Sequence, residues 1–310
     1  MSRLLNLAGV AERVEFRLTA SRLESSVLFY QLARRHYPEN YLRVTRLRLP
    51  PYVRVLLSNT FPRTQVTTRP GGGFCYGPFR NRDVAGEFES QCLDLFQVRR
   101  CQEDLAPSPG HPGCIYGEMS MCPRPCQMVV GAEEYRGEVH RLTEFLSSGG
   151  KTLLDSIASA RERFSEEMDF EQAARQHKRF EKVQEVLRLR DDLAGDIDHL
   201  HGVAVTPSVA PESVELWFLA RGVWLAPRRF PLTAPGAEIV SLDRRLRELS
   251  ETLVAPRATV RDRQEHLALL ARWYYSSWRD GEWIACPDFG SLPYRRLVNA
   301  IHRVAAAQTG

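Results

Sequence analysis

Several things are scarce in this 310-residue sequence, and most of these scarcities narrow what the chain can be. No apolar run approaches the roughly 18 residues that a membrane span requires. The opening Met1–Leu7 is too short in apolar residues for a secretory leader, so the chain is expected in the cytoplasm, away from the membrane. Lysine occurs only at Lys151, Lys178 and Lys182, and arginine fills every other basic position. Paired Cys-x-x-Cys knuckles are missing, which removes the commonest sequence mark of structural zinc. Internal repeats and low-complexity tails are missing too.

What is present is a 43% hydrophobic sequence, enough to supply cores for a multi-part globular chain. The net charge of +4 is unevenly spread, with twelve Arg against four Glu in residues 1–70. Such a basic front end is compatible with a phosphate-backbone partner, DNA above all. Arg43, Arg46, Arg48, Arg54, Arg63 and Arg69 are the candidate phosphate contacts; solvated faces of a sheet would use the same residues.

Periodicity predicts an α+β chain in four parts: a small α/β unit over 1–72, a cysteine-rich segment over 73–150, a helical hairpin over 151–195 and a β-plus-α domain over 196–310. The first unit has a helix from Leu23 to Arg35, capped by Ser21, with Val27, Leu28, Gln31 and Leu32 on one face, then strands at Arg54–Leu57 and Gln65–Thr68. Gly71–Gly73 reads as a flexible connector into a turn at Tyr76–Phe79. Val84, Phe88, Cys92, Leu95 and Phe96 then mark an amphipathic helix leading to Cys101, and another helix covers Glu133–Leu146. In the hairpin, Leu153, Leu154, Ile157 and Phe164 are expected inward on the first helix, and Asp169 with Gln172 starts the second. Strands are expected at Val203–Val205, Val214–Leu219 and Val223–Leu225, with helix again from Ile239 onward. His266 and His302, on helical segments, read as structural.

Seven cysteines in a reducing compartment are not disulfide staples. Cys75, Cys92 and Cys286 sit among apolar residues and read as small buried side chains. Cys101, Cys114, Cys122 and Cys126, with twelve, seven and three residues between them, read as ligands of one metal centre. The closing Cys122-Pro123-Arg124-Pro125-Cys126 is a short proline-stiffened turn that can aim two sulfurs one way, and the Pro/Gly-rich loop before it has no hydrophobic pattern to fold on. Spacing alone leaves zinc and an iron–sulfur cluster both open.

In order and spacing, Tyr76-Gly77-Pro78-Phe79, Phe96-Gln97-Val98-Arg99-Arg100-Cys101, the three later cysteines, Glu133-Glu134-Tyr135 and Phe145-Leu146-Ser147 resemble the segment that follows the first nuclease domain of the UvrC/Cho excision nucleases. The resemblance implies a four-iron four-sulfur cluster on the four cysteines. Downstream, Met168-Asp169-Phe170-Glu171-Gln172-Ala173-Ala174 is similar to the core of the UVR hairpin. It implies that Phe170, Glu171, Ala173 and Ala174 meet a UvrB-like helicase, although His177-Lys178 stands where the family favours Arg-Asp. Upstream, Leu23–Leu28 and Leu32–Pro38 look like the last helix of a GIY-YIG nuclease, in which Glu24 would hold a catalytic Mg²⁺ or Mn²⁺.

Metal-assisted phosphodiester cleavage also needs two Tyr and an Arg from a preceding hairpin and helix, and the first Tyr here is Tyr30. The first unit is thus a truncated GIY-YIG-like unit, and no Asp-rich motif of the later RNase H-like nuclease appears after position 200. Three readings follow. One is a DNA-binding repair protein that does not cut on its own. Another is an endonuclease whose missing half comes from another chain or was lost through a misplaced start. The third is an interaction scaffold built on the hairpin and on Trp273, Tyr274, Tyr275, Trp278 and Trp283, aromatics better taken as core than as base-stacking groups.

Overall fold

The Ser21 hydroxyl accepts the Glu24 N–H and so satisfies one of the free donors at a helix start, fixing the beginning of α1 (Arg22–His36). In the computed structural model, which describes residues 11–233, 240–254 and 257–308, the elements that follow are α2 (Tyr41–Thr45), β1 (Tyr52–Val55), β2 (Thr64–Thr67), β3 (Phe74–Gly77), α3 (Arg82–Leu93), α4 (Ile115–Glu118), α5 (Ala132–Ser147), α6 (Lys151–Glu166) and α7 (Phe170–Arg188). Then come β4 (Gly195–Asp196), β5 (His201–Pro207), β6 (Ser213–Ala220), β7 (Val223–Trp224), β8 (Arg228–Pro231), α8 (Leu242–Glu251), α9 (Val260–Tyr274), β9 (Glu282–Cys286) and α10 (Tyr294–Ala306). The readings placed on Met1–Leu7 and on Ile239 lie outside the described residues.

Two antiparallel sheets and the helices on them make this an α+β fold. The first sheet has the order β2-β1-β3-β4. Alternation divides β1 between two cores: Val53 and Val55 pack with Phe88 of α3, Phe145 of α5 and Val183 of α7, while Tyr52 faces α1 and α9. The second sheet runs β7-β6-β5-β9, with β8 also on β6. Val203, Val205, Leu216 and Phe218 point to α8 and α10, and Ala204, Trp217 and Leu219 point to α9. Covered on both faces, β6 is buried along its whole length.

Several local expectations change. Tyr76-Gly77 belongs to a strand, not a turn, because β3 pairs with β1 through Val53↔Tyr76 and with β4 through Tyr76↔Asp196. Gly73 is more than a connector: it sits at φ 114°, and a Cβ there would lie 2.6 Å from the Val55 carbonyl oxygen. On α1 the buried stripe is Leu23, Val27, Tyr30 and Ala33, which face α9, and Leu32 is exposed. On α6 only Ile157 is fully buried, since a two-helix hairpin has one partner to pack on. The helix before Cys101 ends at Leu93, leaving Leu95 and Phe96 in an irregular stretch that still packs on the core. The first sheet draws β1 and β2 from residues 1–72, β3 from 73–150, and β4 from the 195–196 junction. Among the described residues, no helix is long and apolar enough to cross a membrane.

Candidate metal centre

The cysteine segment is held from beneath by two side chains. Tyr135, on α5, accepts the Arg99 N–H at 3.0 Å and donates its hydroxyl proton to the Pro62 carbonyl at 2.7 Å. Arg99 is 2% exposed; its Nε donates to the Phe61 carbonyl at 2.9 Å, and its Nη1 donates to the Glu103 carbonyl at 2.8 Å and to the Cys101 Sγ at 3.2 Å. No carboxylate among the described residues lies within ion-pair distance of it. A buried guanidinium neutralised only by carbonyls and a thiol leaves positive charge in a low-dielectric place. Sequence reading passed over Arg99, since nothing in a run of arginines marks the one that turns inward.

Above this base, Cys122 and Cys126 are buried, Cys101 is half-buried and Cys114 is exposed. Arg124 at φ 58° and the 3₁₀ turn Pro125–Gln127 bend the chain between the last two. That bend brings the Arg124 N–H near the Cys122 sulfur and the Gln127 N–H near the Cys126 sulfur, where each favours the thiolate. Burial pushes the Cys122 thiol up to about 11, and Cys101, Cys114 and Cys126 each push the same way while the Arg124 N–H opposes them. Cys126 is raised by burial and then by Cys114. Cys122 and Cys126 therefore lie within electrostatic reach of the other thiols of the segment. The four thiols are not closed onto a point: among the described residues, no three His, Cys, Asp or Glu side chains form a group that could hold a single metal ion. Cys75, Cys92 and Cys286 lie buried in the cores, as their apolar surroundings predicted.

The other candidate residues are scattered. Glu24 is buried at the start of α1, where one carboxylate oxygen accepts the Ala20 N–H at 3.1 Å and the other lies 3.7 Å from Arg17. Arg46 and Arg48 line one cleft. Arg54 donates to the Gly72 carbonyl and Arg63 to the Gln102 side chain, while Arg43 and Arg69 are exposed. At the hairpin tip Phe170 is 68% exposed, Glu171 pairs with Arg175 at 2.6 Å, Ala173 is half-buried and Ala174 is exposed. Trp273 is core, Tyr274, Tyr275 and Trp283 are half-buried, and Trp278 is exposed.

Fold and site together define a mixed α+β protein whose four-cysteine segment closes over a buried arginine. Residues 51–145 match the family model described as UvrC/Cho excinuclease, middle domain. The UvrABC system protein C of Lachnospira eligens is 23% identical over 232 residues, 74% of this chain and 38% of that protein. The protein of the same name from Methylococcus capsulatus is 28% identical over 225 residues (71% and 36%), and that of Moorella thermoacetica is 26% identical over 269 residues (84% and 43%). The chain is thus similar to the UvrC/Cho middle domain over residues 51–145, and its likeness to these three relatives covers 71–84% of its length. It spans about two-fifths of the length of the curated relatives it matches. No solved structure matches it.

Proposed function

We propose that this chain is an iron–sulfur, DNA-binding protein of DNA repair, of the excision-nuclease lineage, that does not cut DNA on its own. The observation that carries the reading is the placing of a four-cysteine segment over Arg99, a buried cation that donates to the Cys101 sulfur and lacks a carboxylate. Thiolates ligating an inorganic core would supply the missing negative charge, and the Arg124 and Gln127 N–H groups are placed to stabilise two of them. Cys101, Cys114, Cys122 and Cys126 would hold the cluster, which when bound supplies a cross-link and a redox-active centre. A lone zinc ion needs its sulfurs about 3.8 Å apart, from a Zn–S distance of ~2.3 Å. The choice between that ion and a cluster is read by metal content. The engagement of the Glu24 carboxylate with the Ala20 N–H supports the non-cutting reading over a Mg²⁺ or Mn²⁺ site at that residue.

The test is anaerobic purification with iron, sulfide and zinc quantification and visible absorption. About four irons per chain, lost in Cys122→Ser, support the cluster. One zinc with no visible band overturns it in favour of a structural ion. A second reading, a protein-docking role for the hairpin toward a UvrB-like helicase, is favoured by Met168 and Phe170, which are 77% and 68% exposed at the tip.

A further inference from the structure

One cavity of about 550 Å³ opens between α2, the start of β1, the turn before α3 and the last turns of α9. Five arginines reach it, Arg46, Arg48, Arg80, Arg82 and Arg272, and no Asp or Glu lines it. Their origins are far apart in sequence, so the charge density is a product of the fold. Arg272 is fixed by donating to the Thr45 carbonyl at 2.9 Å, and Arg80 by lying 5.5 Å over the Tyr275 ring and 3.7 Å from Asp191. Arg46 and Arg48, by contrast, are exposed and have no hydrogen-bond or ion-pair partner for their side chains among the described residues. Arg46 also occupies the left-handed region at φ 50°, a conformation that costs a non-glycine residue free energy.

The floor is apolar, made by Pro50, Pro51 and Phe79, with Tyr275 at the side. The Tyr275 hydroxyl donates to the Pro78 carbonyl at 2.9 Å, which holds the ring in place. A second cavity, about 530 Å³, shares Arg80, Tyr275 and Ser276 with the first and adds Asp192, Arg279 and Tyr274, whose ring lies 4.7 Å beneath Arg279. Together they form a groove, not a cup.

Five guanidinium groups in a cavity whose own lining holds no carboxylate call for an anion, and arginines that outnumber the one lining carboxylate, Asp192, along the joined cavities call for several negative charges in a row. A duplex is convex and buries its bases, so it would touch the arginine rim and leave the apolar floor empty. An unpaired strand sets phosphates against arginines and turns bases toward proline and aromatic surfaces. We infer that this groove seats an unpaired DNA strand, with Arg46, Arg48 and Arg82 on phosphates and the floor beside Tyr275 receiving a base. The inference rests on the DNA-repair reading and names the form of DNA and the residues that meet it.

The test uses the full chain with its metal content intact, and measures fluorescence anisotropy of an oligothymidine of about fifteen nucleotides and of a duplex of equal length over a salt series. The single strand is expected to bind more tightly. Charge reversal of the two unpartnered side chains, Arg46→Glu with Arg48→Glu, is expected to weaken it about tenfold and to lower the salt slope by about 1.4, at roughly 0.7 for each phosphate no longer neutralised. Arg295→Glu with Arg296→Glu on α10 controls for net charge and is expected to change affinity less than about twofold. Wild-type affinity in the cleft variant, or a preference for duplex that the variant does not alter, overturns the inference and leaves the DNA-repair reading standing. Binding of neither DNA, with capture of polyglutamate instead, overturns both. The cluster assignment, read by iron content, is untouched by any of these results.

Discussion

The Nη1 of Arg99 donates to the Cys101 sulfur at 3.2 Å and also to the Cys101 and Glu103 carbonyls, while the Nε of the same guanidinium donates to the Phe61 carbonyl of a separate segment. It ties the loop after β1 to the cysteine segment. Arg99→Met would leave the buried Phe61 carbonyl without its donor, at about 1–3 kcal/mol, and would also free the part-buried Glu103 carbonyl. We expect a loss of at least ~2 kcal/mol in urea denaturation, together with a lower iron content after reconstitution. Arg99→Lys should recover charge but not the fork of donors, and so should retain iron better than it retains stability. Full stability and full iron in Arg99→Met would dismiss the residue as a structural base for the segment.

A second buried hub joins the two ends of the chain. Glu265 of α9, 2% exposed, accepts hydroxyl protons from Tyr30 of α1 and Tyr41 of α2, and its carboxylate lies 2.9 Å from the Arg261 Nε. Glu265→Ala strands two phenols and an arginine at once, and losses of about 3–5 kcal/mol are typical when one partner of a buried charged network is removed. Glu265→Gln keeps an acceptor and should cost less, about 1–2 kcal/mol. Paired denaturation curves read the difference. Equal losses in the two variants would mean that shape, not the carboxylate, does the joining.

The same region sets a pH dependence. His266 accepts the Trp224 N–H on its Nδ1 at 3.0 Å, and burial holds its pKa below the ordinary 6.5. Asp262 is held down to about 2 by the Thr259 hydroxyl first and by Arg34 next. In both cases the unfolded chain binds more protons than the folded one, so stability is present at higher pH and lost as pH falls. The His266 contribution begins to drain below pH 6.5, whereas that of Asp262 drains only between its ordinary 3.8 and about 2. A urea midpoint series should therefore fall in two stages, the first no steeper than about 1.4 kcal/mol per pH unit. His266→Asn, whose side-chain oxygen can take the place of Nδ1, should flatten the first stage and leave the second.

The helices were largely legible in the sequence because their signals are local. The predicted helix from Leu23 to Arg35 became Arg22–His36, the one at Glu133–Leu146 became Ala132–Ser147, and Ser21 and Asp169 cap as their side chains foretold. Sheet pairing is a long-range choice and was much less legible. Tyr76-Gly77 reads as a turn beside its proline, yet its backbone partners are Val53 and the Asp196 stretch, far along the chain. The site divides the same way. Four cysteines in a loop with no other reason to fold announce themselves, whereas Arg99, Tyr135 and the arginines from Arg46 to Arg272 acquire their meaning only when distant segments meet.

The hairpin tip offers the opposite case, a side chain whose removal should leave the fold indifferent. Phe170 is 68% exposed at the first position of α7, next to Met168, which is 77% exposed and held at φ 59°. Neither side chain has a core to serve, while Val183 and Val186 at the far end of the same helix are fully buried and anchor it. Phe170→Ala should therefore change the melting temperature very little, its cost lying within about 0.5 kcal/mol. If the tip is a docking surface, the same substitution should weaken capture of a UvrB-type helicase by about tenfold, as loss of an aromatic anchor from an interface does. Calorimetric titration of that helicase with the native chain and the variant reads the effect directly. An unchanged affinity would remove Phe170 from the interface and leave its exposure without a partner.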